Sequence, residues 1–276
     1  MRPLLHIIAA LQPLQLRTEN VVKTCAAFLT WQEFEVTQCI DELESAGLLI
    51  RSGRMYRIAP DMFADFLLEQ AAVSSTGASN GYADALYKHF GSDYLAHLLQ
   101  NIAELDFRVV DEGSPSLLAN VWNDITVQFQ NSDNYQKIQL LKGIEPAAFY
   151  QPNPVMQLVR LARQLPQSKT ASEQNSDESF DFSNQDVLNS LPSILRAVAY
   201  QPAFREEAVK VLWQLAKSDS RRPNSYPEHA LGEQMCAMLR SGRMQTIFKG
   251  VDQNEKKNPY DRQCQYDGDF PSHSSK

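Results

Sequence analysis

The chain has almost none of the residue patterns that carry enzyme chemistry. Its 11 glycines are scattered through 276 residues, and they form neither a GxxxxGK(S/T) phosphate loop nor a GxGxxG turn. The sequence also lacks HExxH, GxSxG and any two histidines four residues apart, which are motifs of zinc and serine hydrolases. We therefore predict no catalytic residue, no cofactor and no metal site, and we expect a protein that is not an enzyme.

Cysteine is scarce and the apolar runs are short. Cys25, Cys39, Cys236 and Cys264 are widely spaced and form no CxxC pair, which excludes a disulfide framework or zinc site and is typical of the reducing cytoplasm. No stretch approaches the roughly 20 apolar residues that a membrane helix needs. The N-terminal apolar run is interrupted by His6 and has no small-residue cleavage site after it, so it favours a first helix over a signal peptide. We expect a cytoplasmic protein without a membrane partner.

Positive charge is in deficit. The chain has 26 Lys and Arg residues against 33 Asp and Glu residues, which gives a formal net charge of −7. Its hydrophobic content of 43% and charged content of 21% are those of an ordinary globular protein. The negative balance disfavours nucleic acid and anionic membranes as general partners.

What the sequence does contain, in residues 1–72, is the element order of a winged helix. Apolar residues at helical spacing predict a first helix, and Thr18 can cap a second. Gly47 predicts the left-handed end of a third helix, and residues 52–54, between two short apolar runs, predict a β-hairpin. Pro60 then starts a last helix. The inward-facing residues predicted for the third and last helices are Phe34, Val36, Ile40, Leu43, Phe63, Phe66, Leu67 and Ala71.

The third predicted helix carries charge of one sign. From position 31 to 46 it has no Lys or Arg, and its carboxylates are Glu33, Glu35, Asp41, Glu42 and Glu44. A recognition helix enters the DNA major groove and gains affinity by neutralising phosphates, so these acids would repel DNA. The sequence thus predicts a winged-helix shape without strong nucleic-acid binding, with Glu33 and Glu35 as candidate residues for contact with a partner.

The predicted wing is basic. Arg51, Arg54 and Arg57 lie on or beside the hairpin turn, and they are candidate interaction residues. They could touch a phosphate, or they could form a solvated hairpin edge that discourages pairing with other strands.

The last predicted helix carries an acidic stripe. Asp61 and Asp65, with Glu69 four residues further on, fall on one helical face, and the two aspartates are candidate interaction residues. Carboxylates at this spacing could hold a divalent cation, although metal sites normally add a ligand from another segment. The alternative is that the helix dipole favours the acids of the first turns, with Arg57 as a nearby partner.

Residues 73–242 have helical spacing almost throughout and a weak internal repeat. A shift of fifty residues aligns Tyr150-Gln-Pro with Tyr200-Gln-Pro, and Leu165 with Leu215. In each copy a helix stops at Tyr-Gln-Pro and another apolar-periodic helix follows. This pattern favours stacked helical repeats of the HEAT or TPR kind, and a plain irregular bundle is the alternative.

Two segments depart from the helical pattern. Residues 166–186 are rich in serine and acids, and they predict a solvated loop inserted into the repeat domain. Residues 243–276 have lost the periodicity, and they predict a disordered or degenerate tail. The predicted fold is thus mainly α: a winged helix-turn-helix in residues 1–72, HEAT/TPR-like helical repeats in residues 73–242, and the tail.

Four short runs resemble one protein family, over roughly residues 1–240. They are YRIAPDMFADFLLE from Tyr56 to Glu69, Tyr200-Gln-Pro202, the segment from Ala208 to Leu215 that ends in LWQL, and Arg222-Pro-Asn with Pro227-Glu-His229. These resemble the winged helix and following helical segment of large bacterial signal-transduction ATPases with numerous domains (STAND NTPases). Such proteins join an effector, a P-loop NTPase, a winged helix and helical sensor repeats, and several act in antiphage defence.

The resemblance implies the regulatory and sensing part of a switch without its NTPase, since the Walker motifs are absent here. We therefore expect a non-catalytic module that senses a ligand or binds a protein partner, such as an NTPase domain in the same or another chain. The alternative is a winged-helix DNA-binding transcription regulator with a helical effector domain.

Overall fold

Helices joined by short turns make up most of the fold. The computed structural model describes residues 1–110, 115–165 and 182–218. The chain is mainly helical, with one small two-stranded antiparallel sheet. The elements are α1 (Arg2–Leu11), α2 (Glu19–Leu29), α3 (Glu33–Ser45), β1 (Leu49–Ser52), β2 (Met55–Ile58), α4 (Asp61–Ala72), α5 (Tyr82–Val109), α6 (Ala119–Asn131), α7 (Asn134–Ile144), a 3₁₀ turn (Glu145–Ala147), α8 (Pro152–Arg163), α9 (Asn184–Asn189), α10 (Leu191–Ala199) and α11 (Arg205–Ser218).

The chain divides into two compact units, residues 1–190 and 191–276. The first unit holds α1 to α9 and the sheet, and the described part of the second unit consists of α10 and α11. In the first unit α5 is central, because it contacts α1, α2, α4, α6 and α7. The predicted boundaries at residues 72 and 242 stay predictions.

The first helix, α1, is the most completely buried part of the N-terminal region. Leu4, Ile7, Ile8 and Leu11 have no exposed surface, and their spacing places them on one helical stripe. That stripe packs against α4, α5 and β2. The apolar N-terminal run is therefore a core helix.

Gly47 ends α3 in the left-handed conformation, as predicted, with φ at +72°. Its amide donates to the carbonyl of Glu44 at 3.0 Å, and the amide of Leu48 donates to the carbonyl of Leu43 at 3.0 Å. These two bonds form a Schellman motif, which satisfies carbonyls that the end of a helix would otherwise leave open. The turn delivers the chain directly into β1.

The predicted hairpin is the sheet of the structure. β1 and β2 pair antiparallel, with Leu49 opposite Ile58, around a two-residue turn whose first position, Gly53, has φ at +62°. A third segment joins this pair: Leu14, between α1 and α2, exchanges hydrogen bonds of 3.1 and 2.8 Å with the backbone of Tyr56. The sheet is thus anchored to the loop after α1.

Two aromatic residues predicted to face inward are exposed. Phe34 is 68% exposed and Phe66 is 51% exposed. Each lies two positions from buried residues of its own helix, Val36 in α3 and Leu68 in α4, and two positions turn a helix by about 200°. Hydrophobic type alone suggested burial, but the helical angle places both rings on the solvent side.

α5 is one long helix with a kink. Its backbone departs from helical angles at Tyr94, with φ −126° and ψ 23°. Leu98, Leu99 and Ile102 beyond the kink have no exposed surface. The kink therefore redirects the helix, and α7 packs on it so closely that Gly143 lies against the side chain of Leu95.

The two Tyr-Gln-Pro copies begin their following helices differently. α8 begins directly at Pro152, whereas α11 begins three residues after Pro202. Leu165 and Leu215 are both half-buried, so neither lies fully inside its unit. The repeat stays a prediction.

Much of the predicted loop and all of the predicted tail, residues 166–181 and 243–276, lie outside the described residues. The end of the predicted loop is ordered as a helix start. Ser183 and Asp186 cap α9 reciprocally, because the Ser183 side chain accepts from the Asp186 amide and the Asp186 carboxylate accepts from the Ser183 amide.

Candidate protein-interaction surfaces

The solvent face of α3 combines an exposed aromatic ring with carboxylates. Phe34 projects from the first turn of the helix between Glu33 and Glu35, which are also exposed. Glu35 accepts a hydrogen bond from the backbone amide of Gln32 at 2.7 Å, which fixes the start of the helix. Within residues 1–110, 115–165 and 182–218, no ion pair involves Glu33 or Glu35. This end of α3 therefore presents an apolar anchor between two exposed carboxylates, of which Glu33 lies near enough to Lys23 to raise the pKa of that amine.

The other end of α3 is neutralised by a residue from outside the helix. The Arg17 guanidinium lies 2.7 Å from a carboxylate oxygen of Asp41 and 2.7 Å from one of Glu44. It also donates to the phenolic oxygen of Tyr56 at 2.7 Å. Hydrogen bonds to Glu44, Tyr56 and Asp41 raise the pKa of Arg17, so the cation is permanent. No local pattern indicates this contact, because α2 and the turn after it separate Arg17 from α3.

The three wing arginines do not form one patch. Arg51 lies opposite Tyr56 across the hairpin, whereas Arg57 lies opposite Ile50, and neighbouring pairs of a ladder point to opposite faces. Arg51 is also engaged locally, since its Nε donates to the carbonyl of Gly53 at 2.8 Å and its guanidinium lies 5.8 Å from the centre of the Tyr56 ring.

Arg54 occupies the hairpin turn and is exposed. With Arg51 and Arg57 on opposite faces, the wing therefore offers separated single charges to a phosphate backbone.

The acidic stripe of α4 is connected to α5. Asp65 pairs with Arg108 at 2.7 Å, so its partner is Arg108 and not Arg57. Asp61 lies in the first turn, where the helix dipole favours a carboxylate. In the part of the chain that the structure describes, no group of three or more His, Cys, Asp or Glu side chains is arranged to hold a metal ion.

The same region of α4 exposes apolar side chains. Met62 is 82% exposed, and with Phe66 it shares the helical face of Asp65. Phe66 also lines an open groove of about 420 Å³ together with Arg2 and Glu69.

Asp106 of α5 is a buried carboxylate that the sequence pattern did not single out. It is 5% exposed and accepts hydrogen bonds from the Ser116 hydroxyl at 2.8 Å, from the Leu117 amide at 2.6 Å and from the Gln151 side chain. Gln151 belongs to the first Tyr-Gln-Pro copy, so this motif has a structural role: its amide joins the start of α8 to α5. The only sequence signal was the Tyr-Gln-Pro motif, and it does not indicate which residue the Gln151 side chain would contact.

None of the described helices is both long enough and apolar enough to cross a membrane. In comparisons with known proteins, no family model matches the chain, and no curated protein and no solved structure is significantly similar to it. Its function has therefore to be argued from its own residues.

Proposed function

We propose that the chain is a non-catalytic regulatory or sensor module that acts by binding a protein partner, as the corresponding part of a STAND-type switch would. The observation that carries the proposal is the exposed face of α3, where Phe34 stands between Glu33 and Glu35. An exposed aromatic side chain surrounded by polar groups is a common anchor of protein interfaces.

The proposal includes a winged-helix domain in residues 1–72, in which α3 is the helix that would read DNA. The element order α1, α2, α3, β1, β2, α4 supports it. So does the pairing of Leu14 with Tyr56, because it adds a third short strand segment beside the wing. HEAT- or TPR-like repeats in residues 73–242 remain part of the proposal, supported by the packing of α10 against α11 on either side of the second Tyr-Gln-Pro copy.

The charge on the exposed face of α3 favours a protein partner over DNA. A DNA reader of this shape would point the exposed face of α3 at the phosphates and base edges, and that face carries Glu33, Glu35 and Glu42. Arg17 compensates only Asp41 and Glu44. A partner surface with basic residues and an apolar socket complements the same face, since opposite charges steer the encounter and the ring supplies buried area.

The alternative is a winged-helix transcription regulator, and the exposed Arg54 and Arg57 favour it. Two or three arginines on separate faces of a hairpin can supply only a few phosphate contacts, which fade steeply with salt.

The test uses short random peptides displayed on phage and selected on the immobilised full chain. We expect one class of selected peptides to be basic with an apolar residue, and to lose about tenfold in affinity for both Phe34→Ala and Glu35→Lys. Val127→Ala, which trims another exposed apolar residue on α6, is the matched control and should leave that class within twofold. The absence of any Phe34-dependent class would contradict the proposal.

A gel-shift assay distinguishes the proposed protein-binding module from a transcription regulator. The proposal expects no sequence-dependent DNA complex at about 200 mM salt, where purely electrostatic contacts fade. A complex that survives this salt and is lost in Arg54→Glu would instead support the transcription regulator.

A further inference from the structure

Three aromatic rings form a second exposed surface, at the end of α5. They are Phe107 of α5 and Phe149 and Tyr150 of the turn before α8, and we call them the aromatic surface. Their ring centres lie 6.1 Å apart for Phe107–Phe149, 5.9 Å for Phe107–Tyr150 and 5.2 Å for Phe149–Tyr150. Phe107 nevertheless remains 55% exposed and Phe149 37% exposed. The rings thus pack on one another, and Phe107 still leaves apolar area open to a partner.

The aromatic surface is held by a buried hydrogen bond. Phe107 follows Asp106 and Tyr150 precedes Gln151, and the side chains of Asp106 and Gln151 are bonded to each other in the interior. The backbone that carries the rings is therefore fixed before any partner arrives. A surface ordered in advance loses little conformational entropy on binding.

Carboxylates surround the rings. Glu104 lies beside the phenol of Tyr150, where burial first and Glu104 second raise the pKa of that phenol. Arg108 is paired with Asp65 at 2.7 Å, and both Glu104 and Glu69 are close enough to raise its pKa further. Among the described residues, the carboxylates of Asp65, Glu69 and Glu104 outnumber the guanidinium groups of Arg108 and of Arg2, which lines the groove beside Glu69. The neighbourhood of the aromatic surface is therefore net negative.

We propose that the aromatic surface docks a basic segment of a protein partner, with Lys or Arg side chains lying over the rings and pairing with Glu104 and Glu69. Cations bind the faces of aromatic rings, and the surplus carboxylates complete the match. A nucleic acid would bring phosphates against these carboxylates, and a second copy of the chain would bring the same carboxylates against each other. The surface is separate from the face of α3, so the proposal goes beyond the function proposed above and does not rest on it.

The experiment uses the same displayed peptides on the full chain, with binding of individual peptides measured by fluorescence polarisation. We expect a class of basic peptides whose affinity falls about tenfold in Phe107→Ala and again in Glu104→Lys. Phe34→Ala and Val127→Ala should leave this class within twofold. Because Phe107 is more than half exposed, Phe107→Ala should fold, with a melting temperature lowered only by the loss of its two ring contacts. Glu104→Lys provides an independent test that removes no apolar contact of the rings.

Four results would overturn the proposal. The first is that no selected peptide depends on Phe107, and the second is that the Phe107-dependent peptides are neutral or acidic. The third is that sedimentation shows a dimer of the wild type that Phe107→Ala dissociates, and the fourth is that a single-stranded oligonucleotide binds with the same dependence on Phe107. A Phe107-dependent class without a Phe34-dependent one would support this surface and contradict the function proposed for α3.

Discussion

At the scale of single residues, Asp106 is a buried carboxylate that joins three segments of the first unit. It is buried at the end of α5 and accepts from the hydroxyl of Ser116, the amide of Leu117 and the side chain of Gln151. A buried carboxylate is tolerated only when donors surround it, and here the donors come from the segments that lead into α6 and α8. One residue therefore fixes the positions at which two helices begin.

Replacing Asp106 with Ala should lower the free energy of unfolding by about 3 kcal/mol or more, because buried donors lose their acceptor and cannot reach water. Asp84→Ala is the matched control: that carboxylate is half-buried, its Oδ2 accepts from Asn120 at 2.8 Å, and its Oδ1 is buried without a partner in the described chain. The change removes one hydrogen bond and also one unsatisfied buried oxygen, so it should cost about 1 kcal/mol at most. Denaturant titration measures both values, and equal losses would show that Asp106 has no special role.

At the scale of elements, α3 ends where it does because Gly47 accepts a left-handed backbone. No atom lies within 4 Å of the position a Cβ would take at Gly47, so conformation and not space makes glycine favourable there. The two bonds of the Schellman motif then aim the chain into β1. The start of the wing is thus determined by the end of the helix before it.

Gly47→Ala should destabilise the chain by about 1 kcal/mol, since a side chain disfavours positive φ. Ser45→Ala, in the exposed last turn of α3, changes a side chain without changing the backbone requirement and should be close to neutral. Thermal melts compare the two. A stability loss for Ser45→Ala as large as that for Gly47→Ala would mean that the turn conformation is not the cause.

Local patterns in the sequence predicted several of these elements, because their causes are local. Helical spacing identified α1, Gly47 identified the end of α3, and residues 52–54 identified the hairpin. The same patterns failed for Phe34 and Phe66, since hydrophobicity does not say on which side of a helix a residue falls. They also missed Arg17 and Asp106, whose partners are 24 or more residues away for Arg17 and up to 45 for Asp106, and no local rule specifies such pairs.

At the scale of the whole molecule, mild acid should weaken the fold through His6. His6 lies in α1, beside the ring of Tyr82 on α5 with 6.5 Å between ring centres, and its Nε2 is buried without a hydrogen-bond partner in the described chain. Burial first and Arg2 second lower the pKa of His6 below its ordinary 6.5. The fold therefore prefers the neutral imidazole.

As the pH falls below about 6.5, the unfolded chain binds a proton at His6 more readily than the folded chain does, so stability is full above that pH and is lost below it. We expect the free energy of unfolding of the wild type to fall as the pH drops below 6.5, toward the lowered pKa of folded His6, and to fall less in His6→Gln. Lys23 lowers the pKa of Glu19 below its ordinary 4.5. Any stability that Glu19 contributes is therefore lost only at a more acidic pH. Parallel pH profiles for the two proteins would rule out His6 as the cause.

Arg17 has a consequence for how the surface charge of α3 could be redesigned. Exchanging Asp41 or Glu44 for Lys would place a cation next to the Arg17 guanidinium, which also donates to Tyr56 of the hairpin. The negative charge at the C-terminal end of α3 therefore helps to hold the hairpin in place. In the described part of the chain, no hydrogen bond or ion pair joins the side chain of Glu33 or Glu35 to the hairpin. The Glu35 carboxylate accepts one hydrogen bond, from the Gln32 amide. The charges around Phe34 could therefore be changed to suit a different partner. A change of charge at the other end of α3 would weaken the contacts that hold the hairpin.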